Sequence, residues 1–240
     1  MKNEDVAALE ELEDGHWWGD ERTYRLLRLV ERYIPRNSKV LEVGCGNGKI
    51  LSELRELDFD CFGVEPSKTG FSNASNLLPG RIFHGTLDDY TNSKSEKGLF
   101  DCVLLFDVLE HLQNDEEQLI SITKLIKKNG FVIFSVPADP KLWSNLDEEV
   151  YHFRRYTKRS LLTLISSADL QIYQLHYWCS ILKLPIKVYR KLLNPSFVSN
   201  IKKPVPIVNW FLCALIKVER ISLFSKIPGV SIFGVVQKSN

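Results

Sequence analysis

The sequence predicts an α/β fold built on a doubly wound, mostly parallel sheet, and three observations carry that prediction. Short apolar runs of strand length alternate with segments whose apolar residues recur at helical spacing. A glycine-rich turn, Gly44-Cys45-Gly46-Asn47-Gly48, joins one such strand to one such helix. About 20 residues further on, at the end of the next strand, stands an acidic residue, Glu65, at the spacing of a ribose-binding carboxylate.

Lys39 to Val43 reads as the first strand, and Lys49 onward carries Ile50, Leu51, Leu54 and Leu57 at helical spacing. Between them, alternate glycines let the backbone adopt positive φ and let a ligand approach the main chain closely. The second strand, Cys61 to Glu65, sets its carboxylate at the sheet edge where open α/β folds bind ligands and where an acid can accept both ribose hydroxyls. Together these features describe an adenosine site. A dinucleotide fingerprint G-x-G-x-x-G fails here, because Lys49 occupies the position of its last glycine, and there is no G-x-x-x-x-G-K-[ST] phosphate loop.

What remains, Glu42-x-Gly-x-Gly-x-Gly48, resembles the first motif of the class I S-adenosylmethionine (SAM)-dependent methyltransferases. The resemblance continues in order over roughly residues 36 to 170. It implies a third strand at Arg81 to Gly85, with Asp88 or Asp89 near the adenine. A fourth strand, Phe100 to Phe106, runs into Asp107-Val-Leu-Glu-His-Leu112, and a polar helix ends at Lys127 to Gly130 before a fifth strand, Phe131 to Val136. A further helix opens at Thr157 or Lys158. Asp169 to His176 and Ser231 to Gln237 look like the sixth and seventh strands, the last inserted antiparallel between the fifth and sixth. The implied fold is Rossmann-like with seven strands. Its expected parts are a helical lead-in and cofactor lid (1–35), the core (36–180), a helical acceptor-side insertion (181–228) and the last strand (229–240). The resemblance assigns cofactor contacts to Glu42, Gly44, Cys45, Gly46, Gly48, Glu65, Pro66, Asp88, Phe106 and Asp107.

Composition agrees. The 240 residues and 44% hydrophobic content suit one α/β domain with additions, and a net charge of +1 does not advertise nucleic-acid binding. Five cysteines without C-x-x-C spacing read as reduced, buried residues, and the acidic amino terminus lacks a signal pattern, so a cytoplasmic location is expected. Charge is uneven, however. Residues 1 to 21 hold eight acids and one lysine, whereas Leu170 to Val218 holds no acid and seven Lys or Arg, interleaved with aromatics such as Tyr189, Phe197, Trp210 and Phe211. This stretch reads either as an amphipathic cap over the sheet or as an interfacial patch for a lipid-linked or phosphate-bearing substrate.

The chemistry implied is alignment of a nucleophile with an activated methyl, and a hydroxyl acceptor also needs a base. Asp107, Glu110 and His111 follow the fourth strand, and on a helix beginning there they share one face. Their spacing resembles the metal-binding Glu-x-x-Glu-His of some O-methyltransferases, with Asp for the first Glu; Mg²⁺ fits the set, but the shorter Asp argues against a metal. Tyr151-His-Phe-Arg-Arg-Tyr-Thr157 resembles a segment over the acceptor site of bacterial small-molecule and glycan-associated methyltransferases. There His152, like His111, is a candidate base, and Arg154, Arg155 and Tyr156 are candidate substrate contacts; the structural alternative bridges the arginines to Asp147, Glu148 or Glu149. His16-Trp-Trp-Gly-Asp-Glu-Arg22 resembles the lead-in of the same group, which implies that Trp18 lines the cofactor pocket and Arg22 meets the methionyl carboxylate. The expected activity is methyl transfer, at oxygen, to a small-molecule, glycan-like or lipid-linked acceptor, leaving S-adenosylhomocysteine. Alternatives are a metal-dependent RNA methyltransferase, a nicotinamide oxidoreductase and a SAM-binding partner without catalysis.

Overall fold

A computed structural model describes residues 15–93, 99–193, 204–221, 224 and 226–239. Phe197, Lys202, Lys203 and the acids before Gly15 lie outside the described residues. Helix α1 (Trp17–Tyr33) leads into β1 (Lys39–Val43), followed by α2 (Lys49–Glu56), β2 (Asp60–Glu65), α3 (Lys68–Leu77), β3 (Ile82–His84) and α4 (Leu87–Ser93). The second half comprises β4 (Phe100–Phe106), α5 (Asp115–Leu125), β5 (Ile126–Pro137), α6 (Asn145–Glu149), α7 (Lys158–Ser167), β6 (Leu170–Trp178), α8 (Lys183–Leu193), α9 (Pro206–Val218) and β7 (Ser231–Lys238). All seven strands form one sheet in the order β3-β2-β1-β4-β5-β7-β6. Strands β1 to β5 pair in parallel, and β7 runs antiparallel between β5 and β6. The predicted insertion of the last strand is therefore observed.

Strand alternation explains the three layers. Leu41, Val103, Leu105, Val132 and Phe134 face one core with α4, α5 and α7, while Val40, Cys102, Leu104, Ile133 and Phe233 face the other with α1, α2 and α3. Helix α1 buries Leu26, Leu29 and Val30, one helical stripe, against this second core. Each such fully buried aliphatic side chain contributes about 1.5–3 kcal/mol. The antiparallel insertion depends on Gly234, which lies opposite Phe134; a Cβ there would stand 2.1 Å from the Phe134 ring.

One boundary departs from expectation. The polar helix ends at Leu125, not at Lys127 to Gly130, and β5 begins at Ile126 rather than Phe131. Ile126 pairs with Phe100, and an irregularity between Phe100 and Cys102 absorbs the extra residues, with Asn129 at φ 61°. The Lys127-Lys-Asn-Gly130 stretch thus bends within a strand rather than closing a helix.

Candidate active site

The cofactor side of the site is made mostly of backbone. Gly44, Gly46 and Gly48 have φ of 69°, 53° and 80°, and the loop crosses to β2 through Gly44 N–H donating to the Val64 carbonyl at 2.8 Å. Gly48 caps α2, and Asn47 Oδ1 accepts the Lys49 N–H at 3.1 Å, so only the later N–H groups of the first turn stand open, as in anion- and ligand-binding turns. A Cβ on Gly48 would lie 2.9 Å from Ala74 of α3, so the tight loop needs glycine for space as well as for φ. Glu65, 6% exposed, accepts Gly46 N–H on one carboxylate oxygen at 2.8 Å and Ser67 N–H on the other at 2.7 Å. A carboxylate has about four acceptor positions, so two backbone donors orient it without exhausting its capacity for ribose hydroxyls. Glu42 is buried on β1 beneath this loop, and Pro66 is exposed just after Glu65.

Not every predicted contact projects a side chain toward a ligand. The Cys45 side chain is buried, with Gly63 of β2 leaving room for its Sγ, and burial first, then Glu42 and Glu65, push its thiol pKa up. Only its backbone can serve a cofactor. Phe106 is buried at the end of β4. Trp18 packs on Trp178 with ring centroids 4.3 Å apart, and its backbone N–H donates to His16 Nδ1 at the start of α1. Arg22 forms an ion pair with Asp107, whose other oxygen accepts the Ser135 hydroxyl at 2.8 Å. The preceding residue, Glu21, is bound by Arg220 just after α9, so α1 is tied both to the end of β4 and to the segment after α9.

Beyond β4 and β5, where an acceptor is expected, the site is made of side chains. Asp107 has φ 54° and the chain then forms a 3-10 turn at Leu109–His111, so Asp107, Glu110 and His111 do not share the predicted helical face. A positive φ at the end of β4 turns Asp107 toward Arg22 and Ser135 instead. Glu110 and His111 meet His152: their ligand atoms lie within 4.8 Å of one another, and the two imidazoles pack edge to face at 4.7 Å. Glu110 is fully buried, and neither carboxylate oxygen has a hydrogen-bond partner. Burial, then the nearby Asp107 charge, raise its pKa well above the ordinary value. Loss of hydration, then the His152 ring, hold His111 down to about 4, so it is a neutral imidazole at physiological pH.

Behind His152 stands Asp147, which the sequence identified only as a bridging acid. Its Oδ1 lies 3.0 Å from His152 Nδ1 and accepts Arg155 Nε at 2.7 Å, while its Oδ2 accepts Arg190 of α8 at 3.2 Å and Ser144 N–H at 3.0 Å. Burial opposes the charge, but His152, Arg155 and Arg190 outweigh it and bring the Asp147 pKa to about 2. The signal available in sequence was Ser144-x-x-Asp147, a helix-start pattern, realised here as a capping box on α6.

The predicted substrate contacts take structural positions. Arg155 is buried between Asp147 and the Ala138 carbonyl, and Tyr156, also buried, donates its hydroxyl to Asp115 and the Leu109 carbonyl. Arg154 binds Asp115 at 2.7 Å and the Gln113 carbonyl. Burial removes Arg155 and Tyr156 from the surface an acceptor would touch. Asp88, in contrast, is exposed at the start of α4 and accepts Gln118 Nε2; with His111 and Phe153 it lines a cleft of about 360 Å³. Asp88 and His111 thus open onto the same space.

Comparison with known proteins agrees with this architecture. The family described as a methyltransferase domain matches residues 18–175. A ubiquinone biosynthesis O-methyltransferase of Rickettsia typhi is 25% identical over 139 residues, covering 50% of this chain and 55% of that protein. An EEF1A lysine methyltransferase 2 of Danio rerio is 27% identical over 132 residues, covering 50% and 57%. The chain thus spans about half the length of the curated relatives it matches. Among solved structures, a SAM-dependent methyltransferase of Archaeoglobus fulgidus has a similar fold at TM-score 0.63 and 16% identity, covering 90% of this chain and 92% of that one. Phosphoethanolamine N-methyltransferase 2 of Haemonchus contortus, solved with SAM, aligns at TM-score 0.60 and 14% identity, covering 90% of this chain and 53% of that one. With the family match over the cofactor loop, the acidic strand end and the histidine cluster together, the chain belongs to the methyltransferase-domain family, the class I SAM-dependent methyltransferases.

Proposed function

We propose that this protein methylates an oxygen of a small-molecule or glycan-like acceptor, with His152 as the general base. The observation that carries this reading is the Asp147–His152 pair. Asp147 occupies Nδ1 at 3.0 Å, which fixes the ring and leaves Nε2 facing the Glu110–His111 side, 3.9 Å from Glu110 Oε1. A carboxylate-oriented imidazole is the arrangement that takes a proton from a hydroxyl and carries the resulting charge.

SAM, when bound, supplies a methyl made electrophilic by its sulfonium. The chain's residues suit that ligand: the Gly44 to Gly48 backbone and the open turn of α2 would hold the methionyl part, Glu65 the ribose, and Asp88 the adenine edge. His152 would accept the acceptor's proton and Asp147 would stabilise the imidazolium. Trp18 on α1 and Phe153 at the cleft would exclude water. The O-methyltransferase relative supports oxygen as the target, and the lysine methyltransferase relative shows how far acceptors diverge at this level of identity.

A second reading is favoured by one observation: the buried, unpartnered carboxylate of Glu110 beside two imidazoles. This trio fits a divalent cation, and two nitrogens with one oxygen suit Mn²⁺ or another transition ion better than Mg²⁺. The readings compete for His152 Nε2. Methyl transfer to a panel of phenols, catechols and sugars, assayed by S-adenosylhomocysteine release with EDTA or added Mn²⁺, tests both. Turnover that survives EDTA and rises with hydroxyl acidity supports the base. Turnover that needs Mn²⁺ replaces it with the metal, and SAM binding without turnover on any acceptor leaves the non-catalytic alternative.

A further inference from the structure

We propose that the outer faces of α8 and α9 form a docking surface for an anionic lipid bilayer. Helix α9 is apolar nearly all round, yet only one side of it is used by the fold. Its inner side buries Ile216 and rests Leu212 and Leu215 on the core, and Asn209 ties it to α1 by accepting Trp17 N–H at 3.0 Å. On its outer side Ile207 is 76% exposed, Trp210 70% and Phe211 58%.

Helix α8 repeats the design. Its inner side places Ile186 on the same core, Arg190 on Asp147 and Lys183 on Asp139 at 2.8 Å. Leu184, Val188 and Leu192, spaced four apart on one face, are 69%, 47% and 76% exposed. Two helices that rest on the same core thus each turn an apolar stripe outward, which is the pattern of an interaction surface rather than of a core.

Charge identifies the occupant. Exposed Lys187 and Lys191 border the α8 stripe and exposed Lys217 borders that of α9, with no acidic residue between Leu170 and Val218. A symmetric contact between two copies would set these lysines against their own equivalents. An anionic headgroup layer neutralises them while the aromatic and aliphatic tips enter the acyl boundary. The helices, of 11 and 13 residues, extend only about 15–20 Å. That is too short to cross a hydrocarbon core of about 30 Å. Among the described residues no helix is long and apolar enough to do so, and the stripes run along the helices, as in-plane binding requires.

Flotation of the full chain with vesicles tests this, using phosphatidylcholine alone and mixtures with roughly a third phosphatidylglycerol. The expected result is binding to the anionic vesicles, at least about tenfold weaker to the neutral ones and weakened again as salt rises. Trp210→Glu with Phe211→Glu, and separately Lys187→Glu with Lys191→Glu, should each lower binding by about tenfold or more. These positions are exposed, and unchanged circular dichroism and SAM titration would show that fold and cofactor site are intact. Absence of flotation by a natively folded, SAM-binding protein overturns the proposal. So does a concentration-dependent dimer in sedimentation equilibrium that Trp210→Glu with Phe211→Glu dissociates, which would assign the face to a second copy.

Discussion

The two halves of the sheet's C-terminal edge are built in opposite ways. On the proposed cofactor side, beyond β1 and β2, the candidate groups are backbone N–H donors in a short glycine loop and one carboxylate, Glu65, held by donors from Gly46 and Ser67. On the proposed acceptor side, beyond β4 and β5, they are side chains converging from separate elements: Glu110 and His111 from the turn after β4, Asp147 from α6, His152 from the following loop and Arg190 from α8. A backbone cradle tolerates change in most of its side chains, whereas a buried side-chain network fails when one member is removed. That difference suits a common cofactor and a variable acceptor.

The sharpest way to break the comparison is His152→Ala. If the acceptor half is a device for moving a proton, kcat should fall by about 10²–10⁴-fold, while SAM affinity measured by calorimetry stays at the wild-type value because the cofactor half is separate. A parallel loss of SAM binding would show that the halves are one unit.

Asp147→Ala should cost about 3–5 kcal/mol of stability by urea denaturation, since it leaves the buried Arg155 and the half-buried Arg190 without their counter-charge. Asp147→Asn sharpens the point by keeping the volume. It should recover part of the stability yet still lower kcat, because an amide orients the His152 ring without stabilising its charge.

Glu110→Gln should act in the other direction. Its folded-state pKa is raised, by burial and then by Asp107, so in metal-free protein the folded state keeps a proton that the unfolded chain releases above about pH 4.5. Its favourable contribution is present below that pH and lost as pH rises through the folded value. The amide, neutral at every pH, should therefore stabilise chelator-treated protein by about 1–3 kcal/mol at pH 8, with a smaller gain at pH 5, read as a shift in Tm. If Mn²⁺ raises the Tm of wild type and not of Glu110→Gln, the metal reading of the same three residues is favoured.

Glu65→Ala is the smallest of the four. Calorimetry should show at least a tenfold loss of SAM affinity, about 1.4 kcal/mol, with kcat at saturating SAM little changed.

The cofactor half was legible in sequence for a physical reason. Close approach of a ligand to the main chain needs glycines at fixed spacing, and a ribose needs an acid at the next strand end, so the roles proposed for Gly44 to Gly48 and Glu65 are written in local order. The acceptor half was legible only as an inventory. Glu110, His111 and His152 stood out as titratable residues in motif segments, but Asp147 read as one acid among three, and Arg155 and Tyr156 read as substrate contacts although both are buried in the framework. Nothing in the spacing of Asp107, Glu110 and His111 announced the positive φ at Asp107 that sends its carboxylate to Arg22.

Apolar periodicity and the glycine and acid spacing determined, without any coordinates, the α/β class, and the family resemblance supplied the antiparallel last strand between the fifth and sixth. These are consequences of backbone geometry repeated over a few residues. Which carboxylate orients His152, and which arginines are structural, followed only from packing. So did the outward turn of the α8 and α9 stripes, because each depends on partners up to 43 residues apart within the Asp147 network and on burial that no single segment encodes.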